Sequence, residues 1–148
     1  MIKSTDHIGI SVVDLARSIE FYCRGLGMTI VEQEGFAGEQ YEKMLALKGT
    51  HGKLALLRAG NLQLELFQFT SPVPKRNDPN RPVADHGITH FCIEVSDIQA
   101  VYAQLEAAGA SFHSPPIEFE GFATATYVRD PDGNVFEIME RGKQVESE

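Results

Sequence analysis

The sequence predicts an α+β protein built of two tandem βαβββ modules. Three observations support this: an internal repeat, strand-period alternation in both copies, and the same helix punctuation after each copy. Residues 7–15 read HIGISVVDL and residues 90–98 read HFCIEVSDI, so His7/His90, Ile10/Ile93, Val12/Val95, Asp14/Asp97 and Leu15/Ile98 correspond at one offset of 83 residues. A repeat at fixed offset defines the architecture before any single element does. Both segments alternate with period two. Ile8, Ile10 and Val12 share one face with His7, Gly9 and Ser11 opposite, and Phe91, Ile93 and Val95 share one face with His90, Cys92 and Glu94 opposite. The apolar face is the core side, which turns both histidines away from it.

The remaining elements follow in order. Asp14 opens an apolar-periodic run through Leu15, Ile19 and Tyr22 that stops at Gly25–Gly27, and Asp97 opens one through Ile98, Val101 and Leu105 that stops at Gly109. An acidic N-cap and a glycine stop predict a helix in each place. Three strand-like runs follow each helix: 28–32, 54–58 and 62–69 in the first half, and 111–115, 123–129 and 134–140 in the second. Ala59-Gly60-Asn61 and Asp130-Pro131-Asp132-Gly133 supply the turns before the final strands. Those final strands correspond as Leu64-Glu65-Leu66 and Phe136-Glu137-Ile138, at an offset of 72, so the first half is longer by 11 residues. The surplus falls in 33–53, a polar stretch expected to be a long loop over a site, with a helical turn around 41–47. Segment 71–82 holds four of the seven prolines and is expected to link the modules, which span about 4–70 and 87–141.

Composition narrows the function. The 148 residues suit a single domain, and their 43% hydrophobic and 23% charged content is that of an ordinary globular chain. No apolar stretch reaches the roughly 18 residues that cross a membrane. Met1–Asp6 carries no apolar signal segment, and two cysteines make no disulfide framework, so a cytoplasmic location is expected. A net charge of −8 opposes a phosphate backbone, which excludes nucleic acid as an expected partner and leaves a small molecule.

Glu65 and Glu137 each interrupt an apolar strand on its non-core face. A carboxylate there is costly to bury unless paired or metal-bound. Each glutamate shares its half with one strand-opening histidine on the non-core face, which makes two equivalent pairs, His7 with Glu65 and His90 with Glu137. Nitrogen and oxygen donors of this mix suit a divalent Zn, Ni, Co, Mn or Fe ion.

The motifs DHIGISVVDL, GITHFCIEVSD and DPDGNVFEIME cover nearly the whole chain, and together they resemble the vicinal oxygen chelate superfamily of glyoxalases, bleomycin resistance proteins and dioxygenases. The resemblance implies one domain over 1–148, sheets curled into a cup, one divalent metal ion on its axis and a homodimer. It places His7, Glu65, His90 and Glu137 on the metal positions of glyoxalase-like and epimerase-like members. It implies a metal-dependent lyase or isomerase acting by proton transfer on a small oxo- or hydroxy-compound, with an extradiol-type dioxygenase and a non-catalytic drug- or metabolite-binding protein as alternatives. The dioxygenase members use only the counterparts of His7, His90 and Glu137. They also carry a histidine ahead of the tyrosine before DPxG, where this chain has Tyr127 but Glu118, Phe119 and Glu120. A glutathione-anchoring arginine would fall at Ser11. Binding members lack the ligands that this chain keeps.

Glu65, Glu137 and Glu94 are the expected proton-moving carboxylates. Glu94 lies on the face of His90, and as a base it would need a raised pKa from neighbouring phenylalanines. Ser11, Phe67, Cys92 and Tyr127 are the expected substrate-facing residues, with Phe36, Phe69, Phe119 and Phe122 as further candidates for an apolar wall. His51, His86 and His113 read as surface residues.

Overall fold

In the computed structural model, which describes residues 1–142, the repeat of the sequence becomes two sheets of equivalent strand order. The residues group into two units, Met1–Arg76 and the part from Asn77 onward. The first contains β1 (Ile8–Ser11), α1 (Leu15–Leu26), β2 (Thr29–Ala37), α2 (Glu39–Leu45), β3 (His51–Ala59) and β4 (Leu62–Ser71), with sheet order β1-β4-β3-β2. The second contains β5 (Phe91–Glu94), α3 (Ile98–Ala107), β6 (Ser111–Phe112), β7 (Ile117–Phe119), β8 (Ala123–Arg129) and β9 (Val135–Arg141), with order β5-β9-β8-β6 and β7 pairing β8. This is the two-module βαβββ arrangement the repeat predicts.

Each module closes by pairing its first strand parallel to its last. In the first unit Gly9 lies beside Glu65 and Ile10 beside Leu66; in the second Cys92 lies beside Glu137 and Ile93 beside Ile138. The two offsets read from the sequence, 83 for the opening strand and 72 for the closing one, carry one register onto the other. Ile10, Leu64, Leu66 and Leu57 fill the core face of the first sheet against Leu15, Phe21 and Tyr22 of α1, all of them buried. Phe136, Ile138 and Val128 fill the second against Ile98 and Leu105 of α3. Each such side chain, fully withdrawn from water, contributes about 1.5–3 kcal/mol.

The helices start where Asp14 and Asp97 predict. Asp14 Oδ1 accepts from the Arg17 amide at 3.1 Å, and Asp97 Oδ1 from the Ala100 amide at 2.9 Å. A second cap arrives from the sheet: Gln68 Oε1 accepts from the Leu15 amide and Glu140 Oε2 from the Ile98 amide, both at 2.8 Å. Gln68 and Glu140 are equivalent positions at the offset of 72. Each side chain tethers the last strand to the first turn of its helix and satisfies an amide with no intrahelical partner.

The stretch 33–53 departs from the expected long loop. β2 runs on to Ala37 and pairs with β3 back to His51, with a register irregularity between Ile30 and Glu32, so only the segment around α2 is excursion. The polar sequence concealed a strand because β2 is the sheet's edge, where Phe36 alone is buried. β7 is likewise an unexpected strand, with Ile117, Glu118 and Phe119 all exposed.

Residues 72–90 hold no strand, as the prolines predict. Their second part is nevertheless strapped down. The buried Arg129 donates to the carbonyls of Pro79, Arg81 and Gly133 at 3.1, 2.7 and 3.0 Å. Gly133 has φ of 84°, and a Cβ there would overlap the Pro79 backbone, so the turn of DPDGN admits only glycine at this position. Asp130 closes that turn, accepting from the amides of Asp132 and Asn134, each at 2.9 Å. Among the described residues no helix is long and apolar enough to cross a membrane.

The sheet-to-helix caps generate a stability prediction. Gln68→Ala and Glu140→Ala should each cost about 1 kcal/mol, within the usual range for a lost helix cap. Because Glu140 also places a negative charge at the positive end of α3, its loss should be the larger at low salt and converge on that of Gln68 at high salt. Urea unfolding midpoints at two ionic strengths measure both effects.

Candidate functional site

Parallel closure of each module sets the end of one strand against the middle of another, and there the predicted pairs meet. His7 Nε2 lies 3.2 Å from Glu65 Oε2, and His90 Nε2 lies 3.1 Å from Glu137 Oε2. The two contacts match in atoms and distance. Glu65 and Glu137 side chains are about one-fifth exposed (23% and 19%), and the histidines somewhat more (40% and 25%), so the pairs are half-buried but open to a ligand. In each unit a nitrogen and an oxygen donor are turned toward one another on the face away from the core. This donor chemistry fits a borderline or hard divalent ion. Among the described residues no group of three or more histidine, cysteine, aspartate or glutamate side chains forms a metal site; each unit brings together one pair.

The other nitrogen of each ring is also engaged, which the sequence reading missed. His7 Nδ1 lies 2.8 Å from Asp6 Oδ2, and His90 Nδ1 lies 2.9 Å from Thr89 Oγ1. The signal was available in the residue directly before each histidine.

Around His7 and Glu65 the open face is aromatic. Phe36 meets Phe67 and Phe69 edge-on at 5.5 and 5.3 Å, and Tyr41 at 5.2 Å; Phe67 and Phe69 stack at 5.7 Å. Such contacts hold rings in offset or edge-to-face geometry. Gly52 makes room for the cluster, since a Cβ there would press on the Phe36 ring and overlap the Gln68 carbonyl. Tyr41, missed in the sequence, joins from α2; burial first, then the charges of Glu34, Glu65 and Glu32, hold its phenol protonated above the usual range. Ser11 stands exposed on the same strand face as His7, beside Phe67 in register.

Around His90 and Glu137 the open face is polar. Tyr127 lies beside Glu137 across β8 and β9, and its ring sits 4.6 Å from the His90 ring. His113, exposed as the sequence predicts, lies 5.7 Å from the Tyr127 ring, and its amide donates to the Tyr127 carbonyl at 3.0 Å. Burial first, then Glu137 and Cys92, raise the Tyr127 pKa; burial first, then Arg129, lowers that of His113. Glu94 is 61% exposed, with Oε2 3.4 Å from Arg141 Nε, so its described partner is a charge and not a phenylalanine. Phe119 and Phe122 are exposed.

The chain from residue 4 to residue 138 matches the glyoxalase/bleomycin resistance protein/dioxygenase superfamily model. The chain belongs to that superfamily. Its relatives include the uncharacterised Escherichia coli K12 protein YaeR, 34% identical over 140 residues that cover 95% of this chain and 98% of YaeR. The Arabidopsis thaliana lactoylglutathione lyase GLX1 is 26% identical over 92% of this chain, which spans 44% of that relative. Among superfamily structures, a glyoxalase family protein from Bacillus cereus superposes with a TM-score of 0.87 at 21% identity, covering 95% of each chain. The fosfomycin resistance protein FosX of Listeria monocytogenes, solved as a mutant with Mn(II) and a dihydroxypropylphosphonic acid, superposes at 0.62 and 14% identity, covering 93% of this chain and 90% of FosX.

Within this superfamily fold, Cys92 offers a direct reporter of the His90–Glu137 pair. Its thiol is pushed up to about 11, first by partial burial of the sulfur and then by the charge and hydrogen bond of Glu137. In metal-free protein at pH 8 its alkylation by iodoacetamide should be on the order of 100-fold slower than that of a free cysteine. Removing the carboxylate lowers the thiol pKa, so Glu137→Gln should accelerate alkylation of Cys92. Cys23, whose raised pKa comes from burial alone, should keep its rate. Mass spectrometry of the two labelled peptides over pH 7–11 reads both.

Proposed function

We propose that this protein is a metal-dependent lyase or isomerase that moves a proton on a small oxo- or hydroxy-compound. The observation that carries this reading is the duplicated contact of His7 with Glu65 and His90 with Glu137. These four residues are the ligand set for one divalent transition ion per chain. FosX, which shares the fold, was solved with Mn(II), and the lyase names of several relatives support the reaction class. When bound, such an ion supplies Lewis acidity to a substrate oxygen.

The chain's own groups do the rest. Glu65, two residues from Phe67 on the same face of β4, is the carboxylate that takes the proton next to the carbonyl. Glu137 is the second carboxylate, and Tyr127 presents a protonated phenol to the same face as a hydrogen-bond donor to substrate. Ser11 lies on the open face of the first unit beside Phe67, and Cys92 on that of the second beside Glu137. Glu94 is tied to Arg141 and is exposed.

A dioxygenase reading is kept by one observation: His113 beside Tyr127 supplies the histidine that the stretch 118–120 lacks. The Glu65 contact with His7 weighs against it, since oxygenase iron uses two histidines and one carboxylate. We further propose a homodimer, because β1, β2 and β5 lie at sheet edges and Ile30, Val31, Ile117, Phe119 and Phe122 are exposed. The free thiols Cys23 and Cys92 fit a reducing cytoplasm.

Metal titration should give one ion per chain in wild type, with affinity strongly reduced in His90→Ala and Glu137→Gln; unchanged affinity in both would end the metal reading. A panel of 2-oxo-acids, 2-oxoaldehyde–thiol adducts and acyl-CoA thioesters in deuterated buffer should yield one substrate that gains deuterium next to its carbonyl without consuming O₂. Glu65→Gln should slow that turnover by about 10²-fold or more. Oxygen uptake that survives Glu65→Gln would instead establish the dioxygenase, and ligand binding without turnover a sequestering protein. Sedimentation equilibrium should return twice the chain mass at micromolar concentration, and a single-chain mass would refute the dimer.

A further inference from the structure

We infer that the two duplicated histidines are held by different devices and are unequal ligands, His7 being the stronger because Asp6 backs it with a carboxylate; this rests on the reading that both histidines bind metal. On His7, Asp6 Oδ2 lies 2.8 Å from Nδ1 as an acceptor for a proton there, so Nε2, 3.2 Å from Glu65 Oε2, is the nitrogen whose lone pair would be offered to a metal. A carboxylate in this position orients a ligating imidazole and strengthens it as a donor. Asp6 is itself tied to the sheet. Gln63 Nε2 donates to the Asp6 carbonyl at 2.9 Å, and Gln63 Oε1 accepts from Arg58 Nη2 and Nε at 2.8 and 3.3 Å. A continuous polar chain thus runs from Arg58 on β3 through Gln63 on β4 to Asp6 and His7.

Every link of this chain is altered in the second unit. The residue before His90 is Thr89, whose neutral hydroxyl at 2.9 Å either donates or accepts and selects no tautomer by itself. The position equivalent to Gln63 at the offset of 72 is Val135, which cannot hydrogen-bond the preceding backbone. The position equivalent to Arg58, two residues along the strand from the one beside the glutamate, is Arg129. Its guanidinium is committed to the carbonyls of Pro79, Arg81 and Gly133. What holds His90 is ring packing: Tyr127, 4.6 Å away, stands where the first unit has Leu56.

Asp6 is therefore a positioning residue for His7, and its side chain is 84% exposed, so replacing it does not threaten the fold. The test is competition for Zn²⁺ against a chromophoric chelator, with the full chain as wild type, Asp6→Asn, Thr89→Val and Thr89→Asp. Asp6→Asn should weaken Zn²⁺ binding by about 10- to 100-fold, the usual cost of losing such a partner, and Thr89→Val by less than about 3-fold. Thr89→Asp should tighten binding, a gain that a merely structural role for these positions does not produce. Thermal midpoints of the metal-free proteins should stay together. Equal losses in Asp6→Asn and Thr89→Val, or weaker binding in Thr89→Asp, would overturn the inference while leaving the metal reading intact. A wild-type chain that binds no Zn²⁺ would overturn both.

Discussion

Parallel pairing between the first and last strands of each module is the constraint on which the rest of the structure depends. A parallel pair cannot be closed by a tight turn; it needs a long crossover, and here the crossover is α1, β2, α2 and β3 in the first module and α3, β6, β7 and β8 in the second. Its reward is that residues distant in sequence, 7 with 65 and 90 with 137, come to lie on neighbouring strands in a fixed register. Because side chains alternate with period two, a slip of one residue would send Glu65 into the leucine core and Leu64 or Leu66 to the open face. The buried leucines thus enforce the register, and the register brings each glutamate to its histidine.

The helices hold that register from the other side. Gln68 and Glu140 leave the core face of the closing strand and accept the first amides of α1 and α3, while Asp14 and Asp97 accept the amides of Arg17 and Ala100 in the same first turns. The start of each helix is therefore locked both to the strand before it and to the strand that closes the module. Helix docking and strand register are then one cooperative choice, since moving either breaks a partly buried hydrogen bond as well as apolar packing.

Much of this was legible in the chain because duplication reports the same fact twice. His7, Glu65, His90 and Glu137 were readable as pairs: each sits on the non-core face of an alternating strand, at two offsets that the register later joins. The missed features have specific physical causes. β2 beyond Glu32 and the whole of β7 lie at sheet edges, so all their side chains but that of Phe36 face water and carry no alternation. The caps from Gln68 and Glu140 are contacts across more than 40 residues, which no local pattern encodes. His113 looked like a loop residue because β6 ends before it, yet its amide continues the ladder to Tyr127.

The two halves keep the same frame but not the same open face. Along one row of the first sheet stand Glu32, Leu56, Glu65 and Gly9; along the equivalent row of the second stand His113, Tyr127, Glu137 and Cys92. Only the glutamate is common. Residues that set the register and the helix caps are constrained by packing on the core side, whereas a side chain pointing the other way changes its neighbours without moving the backbone. A duplicated βαβββ unit can hold its His–Glu contacts constant while one copy acquires an aromatic wall around Phe36 and the other a hydrogen-bonding row around Tyr127. Separation of the two faces by strand alternation is what makes that division possible, and it places the chemical differences of the halves on the face opposite the packed core.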